Sequence, residues 1–274
     1  MYIIAIGASE YQDKEWNLNY AAKDANDFSD LFSKQKINYE NVYVNKLLNK
    51  DVTIYNIRKL KQKLMQTNVD DVVMLFYAGH GLLDDSLDYY LATNNINFNK
   101  PSLNGLKYDE LDNLLDSIPA RNKILFIDAC HSGEVDKESG QQLVTENVVE
   151  KDIVFRGVKP RGYNSSSKIS YNNSFELMKE MFSDLRKGTG AVVVSSAGGG
   201  EYAFEGESWK NGVFTYSLLN GINTFNADKN NDNKITVSEL QNYVITHVQK
   251  LTNGMQKPTM RQENIENDFV IWEK

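Results

Sequence analysis

Two residues carry most of the chemistry legible in this chain: Cys130, the only cysteine, and His80, one of three histidines. A thiolate is a strong nucleophile, and a nearby imidazole lowers the thiol pKa or accepts its proton. Each residue stands just past a short apolar run, in DDVVMLFYAGHG (70–81) and NKILFIDACHSG (122–133), and they are 50 residues apart. Ligands of parallel α/β sheets bind outside the carboxyl ends of the strands, so both fall where sites form. Gly81 follows His80, and Ser132 and Gly133 follow His131. Small residues there let backbone N–H groups approach a substrate carbonyl and stabilise an oxyanion. A lone cysteine is more often a small buried hydrophobe and a lone strand-end histidine a satisfied polar group; the matched placement of the two favours catalysis.

Such placement needs strands, and the apolar runs supply them at 2–7, 42–47, 72–78, 124–127, 191–194 and 269–272. Several lack alternation, as expected of strands covered on both faces. Between them lie helical patterns. Residues 21–32 put Ala22, Ala25, Phe28, Leu31 and Phe32 on one face. The spacing predicts a helix over 52–65 with Asp51 as N-cap, and others over 108–115, 175–185, 214–219 and 237–251. Alternating strands and helices predict an α/β fold with a mostly parallel sheet. No internal repeat divides the chain, and it reads as one domain over 1–274. A loop at about 134–174, rich in Ser, Asn and Gly, interrupts the pattern.

The composition excludes other classes. One cysteine forms no intramolecular disulfide and no multi-cysteine zinc site, and fits a reducing, cytoplasmic setting. With 37 acidic and 30 basic residues among 274, the net charge of −7 argues against nucleic-acid binding. Apolar runs of about seven residues are too short to cross a bilayer, and the opening MYIIAIGASEY lacks the basic start and long apolar core of a signal peptide. The charge is unevenly spread. Residues 151–170 hold Lys151, Arg156, Lys159, Arg161 and Lys168 against Asp152 alone, whereas 81–120 is acidic. Charge runs of this kind are most often solvated surface.

The segments Tyr77-Ala78-Gly79-His80-Gly81 and Asp128-Ala129-Cys130-His131-Ser132-Gly133 resemble the caspase-like cysteine peptidases, especially metacaspases and their bacterial relatives. The spacing of His and Cys is already known for caspases, so it is a match to the family and not an independent finding. Ile6-Gly7, 22–28, Ser195-Ser196-Ala197 and 211–216 are also similar to the family, and the resemblance covers most of the chain. It implies a caspase-like three-layer sandwich, a mostly parallel six-stranded sheet with helices on both faces. It implies His80 as general base or acid, Cys130 as nucleophile, and the N–H groups of Gly81 and Cys130 as oxyanion donors. Caspases carry Gln-Ala-Cys and cut after Asp; here Asp128 stands two residues before Cys130, as in metacaspases. On a strand that spacing puts both on one side, where a carboxylate would pair with a cationic P1 side chain. Asp24 resembles the second acidic residue of the metacaspase pocket, with Asp27 as the alternative. The expectation is cleavage of protein or peptide substrates after Arg or Lys. The competing readings are a structural carboxylate for Asp128 and a solvated helix position for Asp24.

With that specificity, Arg156, Lys159, Arg161 and Lys168 become candidate self-cleavage sites of a zymogen, since exposed loops are readily cut. No cofactor is required by this chemistry, but calcium is possible. The stretch 228–239 places Asp228, Asn230, Asp232, Thr236 and Glu239 at EF-hand ligand positions, with Asn233 where Gly is usual. A helix-capping acidic turn is the alternative. The metacaspase resemblance implies a different calcium site in acidic loops, for which Asp84, Asp85 and Asp88 are candidates. His131 and His247 read as structural, Trp16, Trp209 and Trp272 as core or pocket wall, and Tyr202 with Trp209 as possible subsite lining. Two other functions compete: a non-catalytic caspase-like interaction module and a calcium-responsive regulator.

Overall fold

The structure is a computed structural model that describes residues 1–35, 39–84, 86, 88–129, 153–155, 190–197, 203–261 and 268–274. Its frame is a six-stranded sheet. The chain lays down β1 (Tyr2–Gly7), helix α1 (Ala21–Phe32), β2 (Tyr43–Leu48), helix α2 (Ile54–Leu64) and β3 (Val72–Ala78). A three-stranded antiparallel sheet follows, formed by β4 (Gly81–Leu83), β5 (Tyr89–Leu91) and β6 (Leu106–Lys107), and leads into α3 (Tyr108–Asp112) and β7 (Asn122–Asp128). Beyond these come β8 (Ile153–Phe155), β9 (Val192–Ser195), β10 (Phe204–Gly206) and β11 (Asn211–Gly212). The remaining elements are α4 (Val213–Asn223), β12 (Lys234–Thr236), α5 (Val237–Leu251), β13 (Thr259–Arg261) and β14 (Val270–Glu273).

The main sheet runs β13-β9-β7-β3-β1-β2, parallel throughout except for the antiparallel edge strand β13. Helices cover both faces. Adjacent residues of a strand point to opposite sides; Asn45 of β2 is bonded by Lys63 of α2, while Lys46 reaches Asn26 and Asp30 of α1. Phe28 of α1 stacks on Phe76 of β3 at 4.6 Å and meets Phe126 of β7 edge-on at 5.6 Å. Gly7 lets α1 approach this closely, because a Cβ there would lie 2.5 Å from the Ala21 carbonyl oxygen.

β3 and β7 are buried along nearly their whole length, as their unbroken apolar runs require. The run at 42–47 forms β2, the sheet edge, where Tyr43 and Val44 are exposed. One expectation is corrected. Asp51 ends a 3-10 turn, and the side chain of Thr53, two residues on, accepts from Asn56 N and caps α2. The last strand, β14, joins β12 in a separate two-stranded sheet. Helix α5 spans the expected 237–251 and opens on a capping box between Thr236 and Glu239. The loop at 134–174, save for β8, and the helix expected at 175–185 lie outside the described residues.

Candidate active site

The sheet register sets the site. Ala78 of β3 pairs with Asp128 of β7, so His80 and Cys130 each follow a matched pair by two residues. The neighbouring strand ends are tied at the same level: Ala8 N donates to Ala78 O at 3.0 Å, Gly79 N to Asp128 O at 3.2 Å, and Ser196 N to Ile127 O at 2.8 Å. Gly79 is required by packing, since a Cβ there would come within 2.5 Å of the Tyr77 hydroxyl.

His80 is 2% exposed. Its Nε2 lies 2.7 Å from the main-chain oxygen of Trp16. A carbonyl oxygen only accepts, so Nε2 carries the hydrogen, and in the neutral ring Nδ1 holds the lone pair. Tyr11, Trp16 and Phe98 surround the imidazole, at centroid distances of 5.3, 6.4 and 5.8 Å. The Tyr11 hydroxyl also accepts from His80 N at 3.2 Å. Ala92 N donates to His80 O at 2.9 Å, which makes Gly81 and Leu91 a non-hydrogen-bonded pair of the β4–β5 ladder. The Gly81 N–H is therefore directed away from β5. Cys130, its N–H and its thiol lie outside the described residues, as do His131, Tyr202, Asp85 and the loop cations Arg156, Lys159, Arg161 and Lys168.

Asp128 and Asp24 are both fully buried and both meet the start of α4. Asp128 Oδ2 accepts from Thr215 N at 3.3 Å and from Thr215 Oγ1 at 2.5 Å. Asp24 accepts from Gly212 N at 3.1 Å and from Asn211 Nδ2 at 2.7 Å. Asp24 is thus no solvated helix position, because α1 turns it inward. Asp27 shares Asn211 at 3.0 Å and pairs with the half-exposed Lys23. A helix N-terminus favours negative charge, which explains how two carboxylates come to be buried at one. A third joins them: Glu205, also fully buried, accepts from Asn19 N at 2.7 Å and Tyr20 N at 3.3 Å, at the start of α1. Sequence reasoning missed Glu205, Thr215 and the Trp16 carbonyl.

The acidic turns bind their own backbone. Asp84 Oδ1 accepts from Ser86 N and Asp88 N, and Asp88 pairs with Lys107 at 2.9 Å. In the turn at 228–239, Asp228 accepts from Asp232 N and Asn233 N, and Asn233 takes a left-handed φ of 65°, as Gly would. Glu239 accepts from Thr236 N in the capping box and from Lys229 N. Among the described residues no group of three or more His, Cys, Asp or Glu is arranged to hold a metal ion. His247 is structural: its ring lies against Tyr243 and Tyr216, Nδ1 meets Ser217 Oγ at 3.1 Å, and burial pushes its pKa below the usual value. Trp272 packs edge-on against Phe32 and Trp209 is partly buried against the core. No helix among the described residues is long and apolar enough to cross a membrane.

Residues 2–270 match the family model of the caspase domain. The chain belongs to the caspase domain family. That family is one of cysteine peptidases acting on protein substrates. Two crystal structures share the fold. A protein from Geobacter sulfurreducens is 19% identical with a TM-score of 0.64, covering 97% of this chain and 94% of its own. Caspase-1 from Spodoptera frugiperda is 14% identical with a TM-score of 0.58, covering 100% of this chain and 92% of its own. No curated protein matches the sequence.

Proposed function

We propose that this caspase-domain protein is a cysteine endopeptidase that cleaves after Arg or Lys through His80 and Cys130. The observation that carries the catalytic half is the hydrogen bond from His80 Nε2 to Trp16 O. It leaves Nδ1 as the basic nitrogen, on a residue that follows β3 at the same sequence distance as Cys130 follows its paired strand β7. In this reading Nδ1 takes the thiol proton, the Cys130 sulfur attacks the scissile carbonyl, and the imidazolium protonates the departing amine. Water then hydrolyses the thioester, with His80 as base. The N–H groups of Gly81 and Cys130 hold the oxyanion.

The P1 half of the proposal rests on the carboxylates of Asp128 and Asp24. Buried charges need partners, and a cationic P1 side chain supplies a further one. The orientation of the α4 N-terminus by the same carboxylates is compatible with this role, because it fixes them in place. Loop self-cleavage at Arg156, Lys159, Arg161 or Lys168 belongs to the same proposal. Purified protein is to be assayed on fluorogenic peptides ending in Arg, Lys or Asp, beside a Cys130→Ala variant. Turnover of the Arg and Lys peptides that vanishes in the variant supports the reading; equal turnover of the Asp peptide removes the P1 assignment. A loop that stays intact in fully active protein removes the zymogen. Calcium at the 228–239 turn is a separate proposal: calorimetric heat with one ion per chain supports it, and no heat removes it.

A further inference from the structure

A cleft opens on the side of His80 away from β7. In the sheet order β7-β3-β1-β2, Cys130 follows β7 and His80 follows β3, and the same line continues to the loops beyond β1 and β2. The connection between β5 and β6 is stitched to both loops: Gln12 N donates to Asn94 O at 2.9 Å, Asn94 N to Val52 O at 2.9 Å, and Asn94 Nδ2 to Glu10 O at 2.7 Å. That connection and the β1 loop line a cavity of about 470 Å³, with Gln12 and Asp13 from the loop and Asn97, Phe98 and Asn99 from the connection. One of its lining residues, Phe98, also packs against the histidine site. Phe98 is buried, stacks on Trp16 at 5.1 Å, and meets the His80 ring edge-on.

The walls are amides. Asn97 Oδ1 accepts from Asn99 N and Lys100 N, both at 3.0 Å, which leaves its Nδ2 without a partner among the described residues. The side-chain amides of Gln12 and Asn99 are exposed. Amides both donate and accept, which suits the alternating N–H and C=O of an extended peptide. Asp13 is the one ionisable residue of the lining.

We infer that this cleft binds the substrate segment on the carboxyl side of the scissile bond, as an extended chain, and disfavours acidic side chains there. The inference rests on the peptidase reading above. The group that protonates the leaving amine stands on the leaving side of the bond, and His80 is that group. The departing half therefore runs past His80 towards the β1 loop and the β5–β6 connection, where Phe98 makes the floor and the amides meet its backbone. Asp13 repels Asp or Glu and attracts Lys or Arg.

The test uses internally quenched peptides with one Arg-ending unprimed half and one to four residues after the cut, beside an Arg-ending coumarin amide. In the unmodified protein kcat/KM rises with primed length. In a Gln12→Ala/Asn99→Ala variant the ratio of kcat/KM on the longest peptide to that on the coumarin amide falls about tenfold, the size of one to two lost hydrogen bonds. Asp13→Asn narrows the preference for Lys over Glu in the primed half by about two- to fivefold, as expected of an exposed charge pair. Turnover that is flat with primed length, or a ratio unchanged in the double variant, overturns the cleft while leaving the peptidase reading intact. Absence of turnover on every substrate, coumarin amide included, overturns both.

Discussion

The two flanks of His80 are built on opposite principles. On one, at the starts of α4 and α1, Asp24, Asp128 and Glu205 are fully buried, and each accepts hydrogen bonds from an element far away in sequence. On the other side, Gln12, Asn97 and Asn99 are exposed and neutral, and Asn97 Oδ1 bonds the N–H groups of its own turn, those of Asn99 and Lys100. Removing a carboxylate from water is expensive unless hydrogen bonds replace the water, so the first flank has to be rigid. Exposed amides carry no such requirement and can adapt to a chain. In the proposed scheme, strict recognition of one charged side chain and tolerant recognition of a backbone divide at the imidazole.

The largest way to break that contrast is at Asp128. Asp128→Asn keeps the shape and an acceptor for Thr215 but removes the charge. Its kcat/KM on an Arg-ending peptide is expected to fall about 100-fold, in line with truncating one partner of a buried charge pair. Asp128→Ala adds a loss of stability of about 1–3 kcal/mol for an orphaned buried donor at Thr215. Kinetics and urea unfolding on the same samples separate the two effects. An Asn variant with undiminished activity on the Arg peptide would make Asp128 a structural cap and nothing more.

Glu205 comes next. Its carboxylate joins β10 to the start of α1, the helix that carries Asp24. Glu205→Ala orphans the N–H of the buried Tyr20 and is expected to lower the unfolding free energy by about 1–3 kcal/mol. Glu205→Gln retains one acceptor oxygen and recovers part of that. Neither changes the ratio of Arg to Lys turnover, because Glu205 sits behind the pocket residues in this scheme. A changed ratio would place Glu205 against the P1 side chain instead.

These residues also mark where sequence reading succeeds. Helix α5 is read end to end because its period and capping box point the same way, and His80 lies just past a buried strand, as its apolar context implies, whereas Cys130 lies outside the described residues. The family expectation of Asp128 and Asp24 is specific to side chains, and both do converge on α4. The Trp16 carbonyl that orients His80 is main chain, and a backbone atom leaves no signature in residue type. Glu205 is invisible for a different reason: its partners, Asn19 N and Tyr20 N, are also backbone, and the contact spans about 185 residues. Asp51 was a chemically sound cap in the wrong place, because the 3-10 turn it closes delays the helix to Thr53. The run at 42–47 is apolar enough for a buried strand, yet only the strand order reveals it as an edge.

The smallest expected effect tests the contrast from the other flank. Gln12 and Asn99 have exposed side chains, so the double change to Ala is expected to shift unfolding free energy by less than about 0.5 kcal/mol. Asn97→Ala lies between the extremes: its Oδ1 holds Asn99 N and Lys100 N, and losing a turn of this kind costs about 1 kcal/mol. Urea titrations with unchanged slopes would report stability alone. The order Asp128→Ala above Asn97→Ala above the double variant follows from how much water each polar group has already given up. A double variant as damaging as Asp128→Ala would mean that the amide flank is scaffold too, and that the imidazole divides nothing.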